Sequence, residues 1–200
     1  MSNIRFNRQS IRLRNYDYTQ SGFYFITICA QNRYHYFGEI VGATLRGRPN
    51  NPHTMIEPWL FEMEHKFHAV KIGPHVIMPN HIHFIIEKTG DGLVGDHIGS
   101  PLQNAVDCAE KHISGDHSSG NHAGSPLRNI VGWFKTMTTN EYIRNVKLGL
   151  YEPFEKRLWQ RNYYEHIIRD KREYYKIVEY IQNNPARWEQ DSMYTEPSHP

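Results

Sequence analysis

The sequence predicts an α+β domain, an antiparallel sheet with helices packed on one face. Three observations carry this. Residues 23–29 (FYFITIC) form a run of β-branched and aromatic side chains that opens after Gly22. Two further extended runs, 71–79 and 81–88, are separated by Pro79-Asn80 and together read as a β-hairpin. Helical spacing of apolar residues then appears in three separate places, giving the order strand, strand, helix, hairpin, helix, short strand, helix.

Taken in turn, the first strand is buried on at least one face, and a second, weaker strand is expected over 36–41. Residues 42–54 (GATLRGRPNNPHT) are dense in Gly, Pro and Asn and read as a loop. From Glu57 a helix is expected, with Pro58 in its first turn and Leu60, Met63, Phe67 and Val70 at three- and four-residue spacing. Residues 90–125 are rich in Gly, Ser, Asp and His, and read as a polar insertion. Within it Gly95-Asp-His-Ile-Gly-Ser-Pro-Leu-Gln-Asn104 partly repeats as Gly120-Asn-His-Ala-Gly-Ser-Pro-Leu-Arg-Asn129. Two copies are too few for a solenoid, and a duplicated linker is the simplest account. After Pro126 a helix runs to about Asn145 on the stripe Leu127, Ile130, Val131, Phe134, Met137 and Ile143. Residues 159–168 read as extended, and a last helix spans about 170–183 and stops before Pro185. The expected organisation is one domain over 1–188, with a basic arm at 1–15, the insertion at about 90–125 and a tail at 189–200.

Composition narrows the function classes. With 38% hydrophobic and 13% aromatic residues the chain can build a packed core. No stretch approaches the roughly 20 apolar residues of a membrane span, and no apolar leader opens the chain, so a cytoplasmic protein without membrane association is expected. Two cysteines, Cys29 and Cys108, make neither a disulfide framework nor a zinc cage. Net charge is only +2, but its distribution is uneven. Arg5, Arg8, Arg12 and Arg14 stand in an acid-free arm, and Arg157, Arg161, Arg169, Lys171, Arg172 and Lys176 form a second basic group with acids interleaved. Guanidinium groups suit phosphate because they offer paired hydrogen bonds as well as charge. A solvated surface accounts for the same charges.

His81-Ile82-His83 opens an apolar strand. Side chains alternate along a strand, so both imidazoles point to one face while Ile82, Phe84 and Ile86 point to the other. Two imidazoles on one face are half of a metal site, or two ordinary strand histidines. A helical His-Glu-x-x-His and a Pro-Cys-x-x-Cys are both absent, which excludes the zinc protease and zinc deaminase patterns. In the last helix Tyr180 and Asn184 are four apart and share a face. A phenol is a weak nucleophile at its ordinary pKa of about 10, and it gains power where a metal neutralises developing charge. Two readings of this helix stand on the residues alone: Tyr180 as nucleophile with the Asn184 amide oxygen turned to a metal, or Ile177, Tyr180, Ile181 and Asn184 as a core-facing stripe. Two nitrogens and an oxygen suit Mg²⁺ or Mn²⁺, with Zn²⁺ also compatible.

Several segments together resemble one known group. Met78-Pro79-Asn80-His81-Ile82-His83-Phe84-Ile85 resembles the histidine hairpin of the single-tyrosine HUH transposases. The runs 159–169 (WQRNYYEHIIR) and Glu179-Tyr180-Ile181-Gln182-Asn183-Asn184-Pro185 resemble the segment before the catalytic helix, and that helix itself, in their REP-associated tyrosine transposase branch. The likeness runs from about Arg12 to Arg187, excepting 42–54 and 90–125. It implies a ferredoxin-like fold of HUH endonuclease type. It implies also a transposase, a metal-dependent endonuclease and strand transferase that acts on single-stranded DNA near hairpins through a 5′-phosphotyrosine intermediate. In that scheme Tyr180 is catalytic, and His81, His83 and Asn184 hold Mg²⁺ or Mn²⁺. Arg5, Arg8, Arg12, Arg14, Arg161 and Arg172 are DNA-binding candidates, with Trp133, Trp159 and Tyr163 as stacking candidates. His166 matches a recurrent histidine without an assigned role. Insertion-sequence relatives carry Gln where this chain has Asn184. The protein would be a monomer or a homodimer. Two rival readings are a catalytically silent DNA-hairpin-binding protein on the same fold and a metal-dependent phosphoesterase.

Overall fold

A computed structural model describes residues 21–38, 51–89 and 126–197 of the chain. The elements are β1 (Gly22–Cys29), α1 (Pro52–Lys66), β2 (Val70–Met78), β3 (His81–Lys88), α2 (Pro126–Lys147), β4 (Tyr164–Ile168) and α3 (Lys171–Asn183), closed by a 3₁₀ turn, Pro185–Gln190. The four strands form one sheet in the order β2-β3-β1-β4, antiparallel at each step, and with α1 and α2 between them the topology is ferredoxin-like. Among the described residues no helix is long and apolar enough to cross a membrane.

The sheet is buried on both faces. Ile26 and Ile28 of β1 and Ile82, Phe84 and Ile86 of β3 join Leu60 and Met63 of α1 and Ile130, Val131 and Phe134 of α2 in the larger core. The alternate side chains, Phe25, Ile85, Val76, Met78 and Ile168, meet Ile181 of α3 and Trp188. This corrects the expected one-sided layering: α1 and α2 cover one face, and α3 covers the other. The physical reason is legible in β3, where six consecutive residues, 81–86, are buried. A strand buried at every position needs a partner layer on each side.

Two element boundaries also differ from expectation. Of the strand expected over 36–41, residues 36 and 37 form a turn and 38 is not in a strand, and 39–41 lie outside the described residues. There Phe37 donates its backbone N–H to the Pro79 carbonyl at 3.0 Å and stacks its ring near Trp159. Its β-like side chain is used in the core, not in a ladder. The helix expected from Glu57 begins five residues earlier, at Pro52, where Asn51 caps it by accepting from the His53 N–H at 3.0 Å. Asn followed by Pro is a helix-start signal as well as a loop signal. Pro58 therefore lies inside α1. Its missing N–H leaves the carbonyl of Thr54 unmatched, and Thr54 is exposed to water.

Candidate metal and tyrosine site

The β2–β3 hairpin sets the histidines. His81 and His83 stand two apart on β3, facing α3, opposite Cys29 and Thr27 of β1. Both imidazoles are fully buried, at 0% and 1% exposure. His83 stacks on Phe25 with centroids 5.2 Å apart, and His81 lies 5.7 Å from the Trp188 ring.

Each ring is held at Nδ1. His81 Nδ1 is 2.7 Å from Asn80 Oδ1, and His83 Nδ1 is 2.8 Å from Thr27 Oγ1. The Asn80 amide is itself oriented, because its Nδ2 donates to the Met193 carbonyl at 3.0 Å and to Thr195 Oγ1 at 3.1 Å. Asn80 Oδ1 is an acceptor, so His81 donates from Nδ1 and presents a lone pair at Nε2. Thr27 can accept or donate, so either tautomer of His83 is supported. The two Nε2 atoms converge at 3.0 Å. Burial pushes the His83 pKa down to about 4 although Asp191 pulls it up, and burial with the neighbouring His83 pushes His81 well down. Both rings are neutral at neutral pH, the state a metal ligand requires.

From the opposite side comes α3. Asp170 caps it, accepting from the Glu173 N–H at 2.8 Å, and Glu173 reaches back to the Arg169 N–H at 2.8 Å and to His166 Nε2 at 2.7 Å. His166 thus clips the start of α3 to β4. Ile181 fixes the buried face. Tyr180 then falls at the helix edge, 41% exposed, with its hydroxyl 3.2 Å from His83 Nε2. Asn184, the helix C-cap, is buried one turn on.

Sequence reasoning missed one member. Asp191 lies in the segment set apart as a tail, yet its Oδ2 accepts from the Tyr180 hydroxyl at 3.0 Å and from Asn184 Nδ2 at 2.7 Å. Its Oδ1 accepts from the Met193 N–H at 2.6 Å. His81, His83 and Asp191 offer ligand atoms that all lie within 4.8 Å of one another, a group that could hold a metal ion. Only a turn of chain after Pro185 brings the carboxylate in, and no residue spacing announces that. Burial, followed by the Asp191 charge, raises the Tyr180 pKa above its ordinary value, so the free hydroxyl keeps its proton.

The donor set fits a divalent cation by one further sign: Asn184 Oδ1 is buried and has no hydrogen-bond partner. A cation beside the Nε2 atoms would satisfy it. A groove of about 480 Å³ opens over Tyr180, lined also by Lys176, Glu179, Asn183, Arg187 and Gln190.

The remaining sequence candidates do not gather here. Arg172 is exposed in the first turn of α3, and Arg161 is exposed ahead of β4. Arg5, Arg8, Arg12 and Arg14 lie outside the described residues. Trp159 is a core side chain, 4% exposed with Nε1 donating to Thr138 Oγ1 at 2.9 Å, so it offers no stacking platform. Trp133 packs edge-on against Trp59 and Phe67, and Tyr163 is half-buried beneath the Lys135 ammonium, 5.5 Å from its ring centroid.

No protein-family model matches the chain. Among solved structures it is similar to a REP-associated tyrosine transposase bound to a REP hairpin, with a TM-score of 0.45 and 18% identity over 88% of this chain and 73% of that one. It is similar also to a candidate transposase from Deinococcus radiodurans, with a TM-score of 0.41 and 11% identity over 86% of this chain and 95% of that one. An uncharacterized protein of Haemophilus influenzae is 38% identical over 191 residues, 95% of this chain and 94% of that protein. Identity at that level across nearly the whole of both sequences places the chain in the same protein family as the Haemophilus influenzae protein.

Proposed function

We propose that the protein is a metal-dependent transposase-type enzyme that nicks and rejoins single-stranded DNA near hairpins, with Tyr180 as its nucleophile. The observation that carries this reading is the half-exposed Tyr180, its hydroxyl 3.2 Å from Nε2 of His83 in the buried histidine pair and its ring at an open groove. A core tyrosine would be covered, and a surface tyrosine would not meet two oriented, neutral imidazoles. The sequence likeness to single-tyrosine HUH transposases supports the same residues in the same roles.

Tyr180 Oη attacks the scissile phosphorus as its proton passes to Asp191 Oδ2, the acceptor 3.0 Å away. The P–O3′ bond breaks, and the leaving oxygen takes a proton from solvent to become a 3′-hydroxyl. Residues His81, His83, Asn184 and Asp191 would hold Mg²⁺ or Mn²⁺, which when bound withdraws charge from the phosphate oxygens. The 5′-phosphotyrosine link conserves the phosphodiester, so a second 3′-hydroxyl can attack it, re-form the P–O3′ bond and return the proton to Tyr180. Apolar walls at Phe25 and Trp188 keep the imidazoles dry and neutral.

The reading is tested with 5′- and 3′-labelled hairpin oligonucleotides in Mn²⁺ or Mg²⁺, analysed on denaturing gels. A covalent band carrying the 3′ portion of the DNA is expected, abolished by Tyr180→Phe, by His81→Ala and by chelator. Cleavage that survives Tyr180→Phe without an adduct would make the protein a hydrolytic phosphoesterase. Binding without cutting across a broad panel would favour the silent binding protein.

A further inference from the structure

A second groove, of about 410 Å³, lies between α2 and the segment 154–161. Its floor is apolar, with Phe154, Leu158 and the exposed Ile143. Its charged lining is wholly basic: Lys135, Lys156, Arg157 and Arg161. Glu155, the acid of the same segment, does not line it. Among the described residues Lys156, Arg157 and Arg161 are exposed and enter no ion pair. Unpaired cations crowded on one groove repel one another, and an anionic occupant relieves that. Lys156 adopts φ of +55°, a left-handed conformation that L side chains rarely hold, so strain sits at the rim. Lys135 is spent differently. Its Nζ donates to the carbonyls of Gln160 at 3.0 Å and Asn162 at 3.1 Å, which shapes the loop that carries Arg161.

The groove lies on the α2 face of the sheet, opposite the tyrosine site, and the two meet only through the end of β1. The groove's wall is stitched to the end of β1, with the Gln160 N–H donating to the Cys29 carbonyl at 2.9 Å and the Gln31 N–H to the Leu158 carbonyl at 2.8 Å. Cys29 in turn is the cross-strand partner of His81. On the α3 face a single cross-strand line runs His83, Thr27, Tyr164. Two strand spacings, roughly 10 Å, therefore separate the buried imidazole from Tyr164 on edge strand β4, whose ring is 42% exposed. Arg161 follows three residues back along the chain.

We propose that this groove is the track for the flanking part of a single-stranded nucleic acid engaged at Tyr180. The strand crosses the β4 edge with a base on the Tyr164 ring, then lays its phosphates on Arg161, Arg157 and Lys156 over the apolar floor. An aromatic step beside a basic channel is what sequence-tolerant single-strand binding needs. The assignment rests on the single-stranded DNA reading of the tyrosine site, and it adds where the rest of the strand goes.

The test is fluorescence anisotropy with a 5′-fluorescein oligothymidine of about 25 nucleotides and with a mixed-sequence duplex of the same length. Lys156→Ala, Arg157→Ala and Arg161→Ala are combined in one variant, and Tyr164→Ala is made separately, with folding checked by circular dichroism. At 0.1 M salt the triple variant should bind the single strand about 10- to 100-fold more weakly. Its slope of log affinity against log salt should fall by about 2, near 0.7 for each lost phosphate contact. Tyr164→Ala should lose about tenfold. Unchanged affinity and slope in the triple variant, or a wild type that does not bind the single strand, overturns the track. An equal loss on duplex overturns the single-strand assignment in favour of a general phosphate surface. Adduct formation at Tyr180 is read separately: an adduct with an unaffected triple variant sinks the groove alone, and weakened binding without any adduct sinks the tyrosine reading alone.

Discussion

Asn80 is a turn residue whose side chain, fully buried, fixes the tautomer of a candidate metal ligand. Its Oδ1 accepts the hydrogen bond that His81 donates from Nδ1, and its Nδ2 donates to the Met193 carbonyl. Partners of this kind orient a ligand and raise its basicity, and their removal commonly costs 10- to 100-fold in metal affinity. Asn80→Ala is expected to weaken Mn²⁺ binding by about that factor in calorimetry, with the histidines intact. An unchanged affinity would mean that His81 needs no orienting acceptor. Thr27 serves His83 in the same way, but its rotatable hydroxyl imposes no tautomer. Asp191 joins the same network as the hydrogen-bond acceptor for Tyr180.

At the scale of elements, α3 decides whether the site exists. It has only 13 residues, too few to be stable alone in water, so its caps and its packing hold it. Asp170 caps its first turn and Glu173 links that turn to β4 through His166. Asp170→Ala is expected to lower the unfolding free energy by about 1 kcal/mol in urea titrations. It should lower adduct yield as well, because the helix sets the position from which Tyr180 meets Phe25 and His83. Full yield in a destabilised variant would show that α3 keeps its position without the cap. The extended segment before β4 reflects the same division of labour: Trp159 bridges to Ala30 and is consumed by the core, while Arg161, two residues on, is exposed in the basic groove.

For the whole molecule, burying two neutral histidines between a sheet and a helix ties global stability to pH. The unfolded chain binds a proton at His83 near the ordinary histidine value of about 6.5, whereas the folded protein resists until about 4. Between those values the unfolded state holds more protons, so stability falls as pH falls through that window and levels off below it. His81 is shifted in the same direction. In chelator, His83 alone is expected to cost about 2 kcal/mol between pH 7 and pH 5, measured by urea denaturation at each pH. A flat profile in that window would mean that the imidazoles are hydrated in solution. Divalent metal should flatten the loss, because it binds only the deprotonated rings.

Much of this architecture is local and so could be read from the chain. β3 is found to its exact residues, 81–88, because the Pro79-Asn80 turn and the run of buried apolar side chains are contiguous. Alternation alone puts His81 and His83 on one face, and the four-residue helical repeat alone puts Tyr180 beside Asn184. Residues distant in sequence escaped that reading. The placement of α3 on the opposite face from α1 and α2, the 3.2 Å approach of Tyr180 to His83 and the arrival of Asp191 are products of packing. Periodicity names the face a side chain shares with its neighbours along the chain. Which other face it meets is fixed only when both sides of the sheet must be covered, and here that requirement closes α3 and the turn after it over the histidines.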